Sequence, residues 1–219
     1  MKKLGLYGAG DLGLWALELC NRKNASEHLY EEIFFIDDNP NTTAPQGMRC
    51  ADFSTVIDEP FAHDIGIAVC IGEPRTRQIV ADKVRKAGLC LETIIDPDAR
   101  VSLGAHLEEG CIVGGFSSIG PNTFIGANTL MLDSVISHNC RVGESCVFDS
   151  RSTLSCHVSV QDQSFLSIGA MVKEGVSIGS CVIVDMGAAV FLDVEDGLFV
   201  AGNPAQPMRR NEDLRVFRS

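Results

Sequence analysis

VGESCVFDSRSTLSCHVSVQDQSFLSIGAMVKEGVSIGSCVIV (142–184) carries an apolar residue at every sixth position. The spacing starts at Val142 and continues to Val190, and a second run of the same spacing covers 101–131. One inward apolar residue in six is typical of a parallel β-helix, in which three short strands and three turns form a coil of about 18 residues. The repeat over 101–190 therefore predicts about five coils.

The two runs are out of phase by one residue. Met131 and Val142 are eleven residues apart instead of twelve, and the use of Ile136 as an inward residue would absorb the difference. The slip lies within six residues of His138. Departures from a regular repeat are common at functional sites, but they also arise as neutral deletions. The slip alone leaves both interpretations open.

Before the repeat, the chain alternates between strand-like and helix-like segments. The predicted elements are strands at 3–8, 32–38, 65–72 and 89–96 and helices at 11–23 and 73–88. Strands that alternate with helices indicate a small parallel sheet. Hexapeptide solenoids wind left-handed, against the usual crossover rule. The predicted regions are an α/β domain resembling half of a Rossmann fold at 1–96, a left-handed parallel β-helix at 97–192 and a C-terminal tail at 193–219.

Composition restricts the class of protein and of partner. A net charge of −11 disfavours nucleic acid, because phosphate contacts need clustered lysine and arginine. Nine cysteines without CxxC spacing are typical of reduced thiols, which favours the cytoplasm. No apolar run approaches the roughly 20 residues that span a bilayer, so no membrane span is expected.

A glycine loop follows the first predicted strand. Gly8, Gly10 and Gly13 form a G-x-G-x-x-G pattern between a strand and a helix, and Asp37 ends the next strand. This arrangement is the dinucleotide-binding fingerprint, so the loop by itself suggests an NAD-dependent oxidoreductase. A sheet of about four strands is only half of a full dinucleotide-binding sheet, which argues against that activity.

Five motifs along nearly the whole chain resemble one known family. They are YGAGDLG near the start, FFIDD, AVCIGEPRTRQ, SVISHNCRVGE in the repeats and VAGNPAQPMRR near the end. The family is that of the bacterial nucleotide-sugar acyltransferases, related to the bacillosamine-pathway N-acetyltransferase and the sialic-acid O-acetyltransferases. The GNPA segment at 202–205 is frequent in hexapeptide acyltransferases generally and so supports acyl-CoA use.

The resemblance implies an activity and an assembly. It implies a cytoplasmic homotrimer that transfers acetyl from acetyl-CoA to the amino group of a nucleotide-linked amino-deoxy sugar for surface glycan biosynthesis. The N-terminal domain would hold the nucleotide sugar, acetyl-CoA would lie along the β-helix, and the C-terminal tail would pack near it. His138 corresponds to the general base, which a neutral imidazole can serve near neutral pH.

The resemblance also implies binding residues, none of them distinctive in isolation. The nucleotide sugar would contact the glycine loop and the ends of strands, namely Gly8, Gly10, Asp11, Leu12, Asp37, Asp38 and Gly72. Acetyl-CoA would contact residues given by register in the repeat and near the C-terminus, namely Cys156, His157, Ile168, Met186, Gly202 and Arg209.

Three departures from the family pattern affect the expected site. Asn139 stands where the family commonly has a carboxylate that orients the base, so it is expected to hydrogen-bond to His138 without charge. Val147 stands where related enzymes carry a second histidine, and His157 is a possible substitute because it should stack one coil above Asn139. Asp11 and Leu12 replace a loop histidine.

Two other function classes remain open. Acetylation of a sugar hydroxyl is the alternative enzyme, and a catalytically inactive hexapeptide scaffold is the alternative without chemistry. A zinc site is not expected, because His106, His138 and His157 lie in three different phases of the repeat.

Overall fold

The computed structural model describes residues 2–60 and 62–217. Its N-terminal part is a parallel sheet of five strands in the order β3-β2-β1-β4-β5, flanked by helices. The elements in chain order are β1 (Lys2–Tyr7), α1 (Asp11–Glu27), β2 (Tyr30–Ile36), β3 (Cys50–Ala51), α2 (Phe53–Ile57), β4 (Ile65–Val69), α3 (Pro74–Lys86) and β5 (Cys90–Leu91), with 3-10 turns at Pro45–Gly47 and Ala62–Asp64.

The predicted fourth strand over 89–96 is wrong as a single element. It divides into β5 and a separate strand, β6 (Ile94–Ile95), which pairs with the β-helix instead of the N-terminal sheet. After Glu92 donates its backbone N–H to Ile67, the chain turns away to start the first coil. The strand β3 and the helix α2 were not predicted, because neither carries a sustained apolar period. The division of the chain after residue 96 stays a prediction.

The β-helix is a triangular prism of two-residue strands. Its strands are β6 (Ile94–Ile95), β7 (Arg100–Val101), β8 (His106–Leu107), β9 (Ile112–Val113), β10 (Ser118–Ile119), β11 (Phe124–Ile125), β12 (Leu130–Met131), β13 (Val135–Ile136), β14 (Arg141–Val142), β15 (Val147–Phe148), β16 (Thr153–Leu154), β17 (Ser159–Val160), β18 (Phe165–Leu166), β19 (Met171–Val172), β20 (Ser177–Ile178), β21 (Ile183–Val184) and β22 (Ala189–Val190). These strands stack in parallel register as a left-handed β-helix, as predicted.

Three parallel sheets form the faces of the prism. Face 1 contains β6, β9, β12, β15, β18 and β21, face 2 contains β7, β10, β13, β16, β19 and β22, and face 3 contains β8, β11, β14, β17 and β20. The chain turns from face 1 to face 2 at the 1–2 corner (for example 132–134). It turns onto face 3 at the 2–3 corner (137–140) and back onto face 1 at the 3–1 corner (126–129).

The inward residues are those that the spacing of six predicts. The second residue of each two-residue strand points into the prism, and from Val113 to Val190 these side chains are at most 3% exposed. Ile136 is 1% exposed and pairs with Ile119 and Leu154, so it takes the inward position at the slip, as predicted. Each such side chain contributes about 1.5–3 kcal/mol by burial.

Face 1 is covered by the N-terminal domain. Its outward residues are apolar and buried, and they share one cluster with Leu17 and Cys20 of α1: Ile94, Ile112, Leu130, Val147, Phe165 and Ile183. The guanidinium of Arg77, which is fully buried, donates to the carbonyl of Asn128 at the 3–1 corner and to the carbonyl of Val69. Burial lowers the pKa of Arg77 to about 10.

The C-terminal segment extends face 1 and then returns to the N-terminal domain. Strand β23 (Leu198–Ala201) pairs with β21, and β24 (Gln206–Arg210) pairs antiparallel with β23. Further on, the backbone N–H groups of Val216 and Phe217 donate to the Glu73 carboxylate. In the described part of the chain, none of the helices combines the length and the apolar character that a bilayer crossing requires.

Candidate active site

His138 lies in the 2–3 corner, on the turn that joins β13 to β14. The next residue, Asn139, has a left-handed backbone (φ 59°), which asparagine adopts more readily than most residues. The backbone N–H of Asn139 donates to the carbonyl of Pro121 one coil below, and the carbonyl of His138 accepts from His157 one coil above. The corner is therefore held by main-chain hydrogen bonds between coils, and the side chains project outward from a fixed turn.

The side chains of this turn contact one another. Nδ2 of Asn139 lies 2.8 Å from Nδ1 of His138 and 3.5 Å from Nε2 of His157. The two imidazole rings are edge to face, with centroids 5.7 Å apart. Both histidines are exposed and Asn139 is half-buried. The structure thus places the two histidines at the same corner, on either side of one amide.

A further residue, Asn122, joins the group from the coil below. Its Nδ2 donates to Oδ1 of Asn139 at 3.3 Å, and it has the same left-handed backbone as Asn139 and His157. Sequence reasoning missed this residue. Its signal was its register, because residues 122, 139 and 157 occupy the same turn position in successive coils of 17 and 18 residues.

The expectation that the repeat phase keeps the histidines apart is wrong for one pair. His138 and His157 differ in phase by one residue, but a turn brings both of its central side chains to the outside of the corner. His106, by contrast, lies on face 3 and stacks on Phe124, with ring centroids 5.2 Å apart. Cys156, beside His157, has its sulfur near both histidines.

The slip in the repeat lies at a different corner from His138. The turn 132–134, at the 1–2 corner, has three residues between strands where the other turns of the prism have four. A Cβ at Gly114, one coil below, would collide with the carbonyl of Leu132 and come within 2.7 Å of the Trp15 ring. The shortened turn therefore fits the contact with α1. The idea that the slip marks the His138 site is not supported.

The glycine loop lies at the carboxyl edge of the N-terminal sheet. Gly8 has φ +115°, and its N–H donates to the carbonyl of Ile36. A Cβ at Gly13 would strike the Gly8 carbonyl, so α1 can approach β1 this closely only without a side chain there. Asp37 accepts from the backbone N–H groups of Ala9 (3.1 Å) and Asn39 (2.9 Å), which fixes the loop against the end of β2.

Asp38 belongs to a polar network at the same edge. Its Oδ2 accepts from the hydroxyl of Tyr7 at 2.5 Å and from Nζ of Lys83 at 2.6 Å. Although partial burial acts in the opposite direction, hydrogen bonds from Lys83 and Tyr7 keep the pKa of Asp38 below its usual value. Burial, and then the hydrogen bond to Asp38, raise the pKa of Tyr7. Both carboxylates predicted to bind nucleotide thus already hold intramolecular hydrogen bonds.

A cavity of about 570 Å³ opens between α1 and the 1–2 corner. Asp11 and Leu12 of the glycine loop line one side, together with Trp15, while Phe116 and Asp133 line the other. Gly72 lies near the loop as well, since a Cβ there would be 3.9 Å from Leu12 and 3.5 Å from Phe217. The volume is in the range of small-ligand pockets.

The residues predicted to contact acetyl-CoA do not gather within one chain. Cys156 and His157 lie at the 2–3 corner, whereas Ile168 and Met186 lie at the 1–2 corner, on the other side of face 2. Gly202 lies between β23 and β24, and Arg209, on β24, has its guanidinium over the Phe199 ring. The width of face 2 separates these two corners within one chain.

Comparisons with known proteins agree with this architecture. Residues 3–84 match the family model of the PglD N-terminal domain. The GDP-perosamine N-acetyltransferase of Escherichia coli O157:H7 is 28% identical over 221 residues, which cover 96% of this chain and 98% of that protein.

Two solved structures are similar over nearly the full length. The acetyltransferase domain of PglB from Neisseria gonorrhoeae FA1090, in complex with acetyl coenzyme A, is 25% identical with a TM-score of 0.87, over 94% of this chain and 99% of that chain. A histidine-to-alanine variant of the GDP-perosamine N-acetyltransferase from Caulobacter crescentus, in complex with CoA and GDP-perosamine, is 27% identical with a TM-score of 0.84, over 95% and 98%. In its sequence and its fold, this chain is similar to bacterial nucleotide-sugar acetyltransferases over nearly its whole length.

Proposed function

We propose that this protein transfers the acetyl group of acetyl-CoA to the amino group of a nucleotide-linked amino-deoxy sugar, in the cytoplasm and for surface glycan biosynthesis. The observation that carries the proposal is His138, an exposed imidazole at a β-helix corner, whose Nδ1 lies 2.8 Å from Nδ2 of Asn139. The full-length similarity to a GDP-perosamine N-acetyltransferase supports the same class of acceptor, and GDP is the nucleotide to test first.

The reaction requires a base close to the amine. A sugar ammonium group has no lone pair, so a proton must leave before or during attack on the thioester carbonyl. The C–N bond then forms, the C–S bond breaks, and the CoA thiolate takes up a proton as it leaves. An exposed imidazole at the corner can accept the amine proton and pass it on to the leaving thiolate or to water.

Asn139 controls which nitrogen of His138 is available. With Nδ2 of Asn139 facing the ring, Nδ1 accepts a hydrogen bond and the ring proton lies on Nε2. If the Asn139 side-chain amide rotates by 180°, its Oδ1 accepts a hydrogen bond from a protonated Nδ1 of His138. Nε2 of His138 is then free to act as the base. We assign the base to Nε2 in this second arrangement, which Asn122 can support through its own amide.

The nucleotide site is assigned to the glycine loop and the adjoining cavity. Helix α1 starts after Gly10 with no side-chain cap on its first backbone N–H groups. Uncapped N–H groups at the start of a helix bind phosphate, and they suit a protein whose net charge is −11 because they need no basic side chain. Asp37 already accepts a hydrogen bond from the loop at Ala9, and Asp38 accepts one from Lys83. We therefore propose that the two carboxylates mainly position the loop and the edge of the sheet around the nucleotide.

A second copy of the chain completes the site in this proposal. The glycine loop and the 1–2 corner line one cavity, whereas His138 lies at the 2–3 corner, so in this proposal the sugar nucleotide held by one chain meets His138 of another. Face 2, between these corners, exposes Val135 (44%), Met171 (48%) and, just after β22, Leu192 (78%). Packing of this face against another copy would account for the exposed apolar residues, and a homotrimer closes the arrangement.

The test is release of CoA thiol from acetyl-CoA in the presence of GDP-, UDP- and dTDP-linked 4-amino sugars. A sialic acid, which offers hydroxyl groups for O-acetylation, is tested in parallel. The nine cysteines of the chain require a protein-only blank. Release that depends on an amino sugar, with the amide product identified by mass spectrometry, is the expected result. Release only with the hydroxyl acceptor would replace the proposal with O-acetylation. Binding of acetyl-CoA without transfer to any acceptor would favour the scaffold.

A further inference from the structure

The 2–3 corner holds three metal-ligating side chains on two successive coils. His138, Cys156 and His157 each place one nitrogen or sulfur donor atom within 4.8 Å of the other two. The two histidines are exposed and Cys156 is half-buried. Among the described residues, this is the one group of three or more histidine, cysteine or acidic donors close enough to share an ion. We propose that it binds a zinc ion reversibly.

The donor set fits zinc. Neutral imidazole and thiolate are the ligands that Zn²⁺ prefers, and three protein ligands leave a fourth position for water. Bonds of about 2.0–2.3 Å in a tetrahedron separate the donor atoms by about 3.5 Å. The three donors must therefore approach one another by about 1 Å, which side-chain rotations of the two exposed histidines toward Cys156 provide without movement of the backbone.

The backbone already fixes the relative positions of the ligands. Cys156 and His157 are consecutive in one turn, and the N–H of His157 donates to the carbonyl of His138 at 3.2 Å. Gly175 donates in the same way to the carbonyl of Cys156, so the turn is held from both sides. A site on such a ladder loses little conformational entropy when the ion binds.

Zinc at this site would compete with the chemistry proposed above, and this consequence rests on the proposed function. The ion would occupy a lone pair of His138 that the base needs, and it would block the approach of the amine. Because the cysteine must bind as thiolate, metal binding would also release a proton. Binding itself, however, is independent of whether the protein transfers acetyl groups.

The experiment uses the full-length protein, stripped with a chelator, and cobalt(II) as a visible substitute for zinc. We expect one cobalt per chain, with a thiolate-to-cobalt charge-transfer band in the near ultraviolet that added zinc removes, because Zn²⁺ binds such sites more tightly than Co²⁺. Cys156→Ser should lose the band. His157→Asn, which keeps a residue suited to φ 58°, should weaken cobalt binding at least tenfold.

Cys181→Ser is the matched control, because this thiol is half-buried in a left-handed turn residue (φ 56°) outside the cluster. The band should persist in that variant. Absence of a band in the unmodified protein, or a band that survives Cys156→Ser, would overturn the metal site. Zinc inhibition is measured for each variant relative to its own metal-free rate. Zinc binding without inhibition would leave the metal site standing and would count against His138 as the base.

Discussion

Two corners of the β-helix differ in their contacts, although the sequence places them within a few residues of each other. The 1–2 corner, with the short turn 132–134, is packed against the N-terminal domain through Trp15 and the ion pair of Arg22 with Asp96. The 2–3 corner, with His138, is held instead by main-chain hydrogen bonds between successive coils, from Asn139 to Pro121 and from His157 to His138. The N-terminal domain also holds the 3–1 corner, through Arg77 and Asn128.

The irregular turn of the repeat and the proposed catalytic base therefore lie at different corners. The one departure from the repeat accommodates a neighbouring domain, whereas the proposed base lies in a turn of regular geometry. What distinguishes the 2–3 corner is the type of residue in its turns, namely Asn122, Asn139 and His157 in the left-handed position and His138 beside them. We call the 2–3 corner the open corner, because His138 and His157 are exposed there. The predictions compare it with the two corners that the N-terminal domain contacts.

The largest effect is expected from His138→Ala. Loss of a general base typically lowers the rate by about 10²–10⁴-fold, so kcat/KM for the amino sugar should fall by at least about 100-fold. The side chain is exposed, so the melting temperature should stay within about 2 °C. His106→Ala, on face 3, is the control and should leave the rate unchanged. Equal losses of kcat/KM in both variants would contradict the assignment of His138 as the general base.

Arg77→Ala should give the largest loss of stability. The guanidinium is fully buried and donates five hydrogen bonds to Val69, Ile71 and Asn128, which would be left with unsatisfied acceptors. We expect a loss of about 3 kcal/mol in the free energy of unfolding, measured with urea. Arg75→Ala, exposed on the same helix, should change it by less than about 0.5 kcal/mol. Equal effects would show that the 3–1 corner is not held by Arg77.

Gly114→Ala tests the fit at the short turn. Its Cβ would collide with the Leu132 carbonyl, so either the turn or Trp15 must move, at a cost of about 1–3 kcal/mol. Gly104→Ala at the 2–3 corner is the matched control, because its Cβ would meet no atom closer than 3.6 Å. Unfolding curves of the two variants should differ clearly. A neutral Gly114→Ala would mean that the slip has no part in domain packing.

The smallest effect is expected from Asn139→Asp. A carboxylate accepts from Nδ1–H of His138 and so favours the arrangement that frees Nε2, and aspartate tolerates the left-handed backbone. We expect kcat/KM to rise about threefold to tenfold, corresponding to about 1 kcal/mol. Gln163→Glu, which adds the same charge in a left-handed turn residue of the 3–1 corner (φ 57°), is the control and should leave the rate unchanged. An unchanged or lower rate in Asn139→Asp would show that the amide is already the optimal partner.

The sequence predicts the fold far better than the site. The spacing of six identified the coils, the inward residues and Ile136, because each inward position is set by short-range geometry. It did not reveal which face is covered, since that depends on outward residues such as Leu130 and Val147 meeting α1, more than a hundred residues earlier. Val147, the position at which the family resemblance suggested a second histidine, is buried on face 1, so it does not contribute to the His138 corner of the same chain.

The site residues were found by resemblance, and their contacts came from the structure. The spacing of 18 residues predicted that His157 lies one coil above Asn139, and the structure confirms it. The spacing did not predict the contact of His157 with His138, which arises because a turn directs adjacent residues to the same outer edge. The glycine loop was visible as a motif. That Asp37 and Asp38 hydrogen-bond within the chain instead of facing an open site follows only from Ala9, Tyr7 and Lys83 in three dimensions.

The most direct test of the central claim is complementation between two inactive variants produced in one cell. His138→Ala keeps the glycine loop, and Gly10→Phe keeps His138 while filling the approach to the loop. At Gly10 an added Cβ meets nothing within 4 Å, so the second variant should fold. If the loop of one chain serves the open corner of another, mixed trimers should recover about one quarter of the unmodified activity. Activity no higher than that of either variant alone would contradict the account.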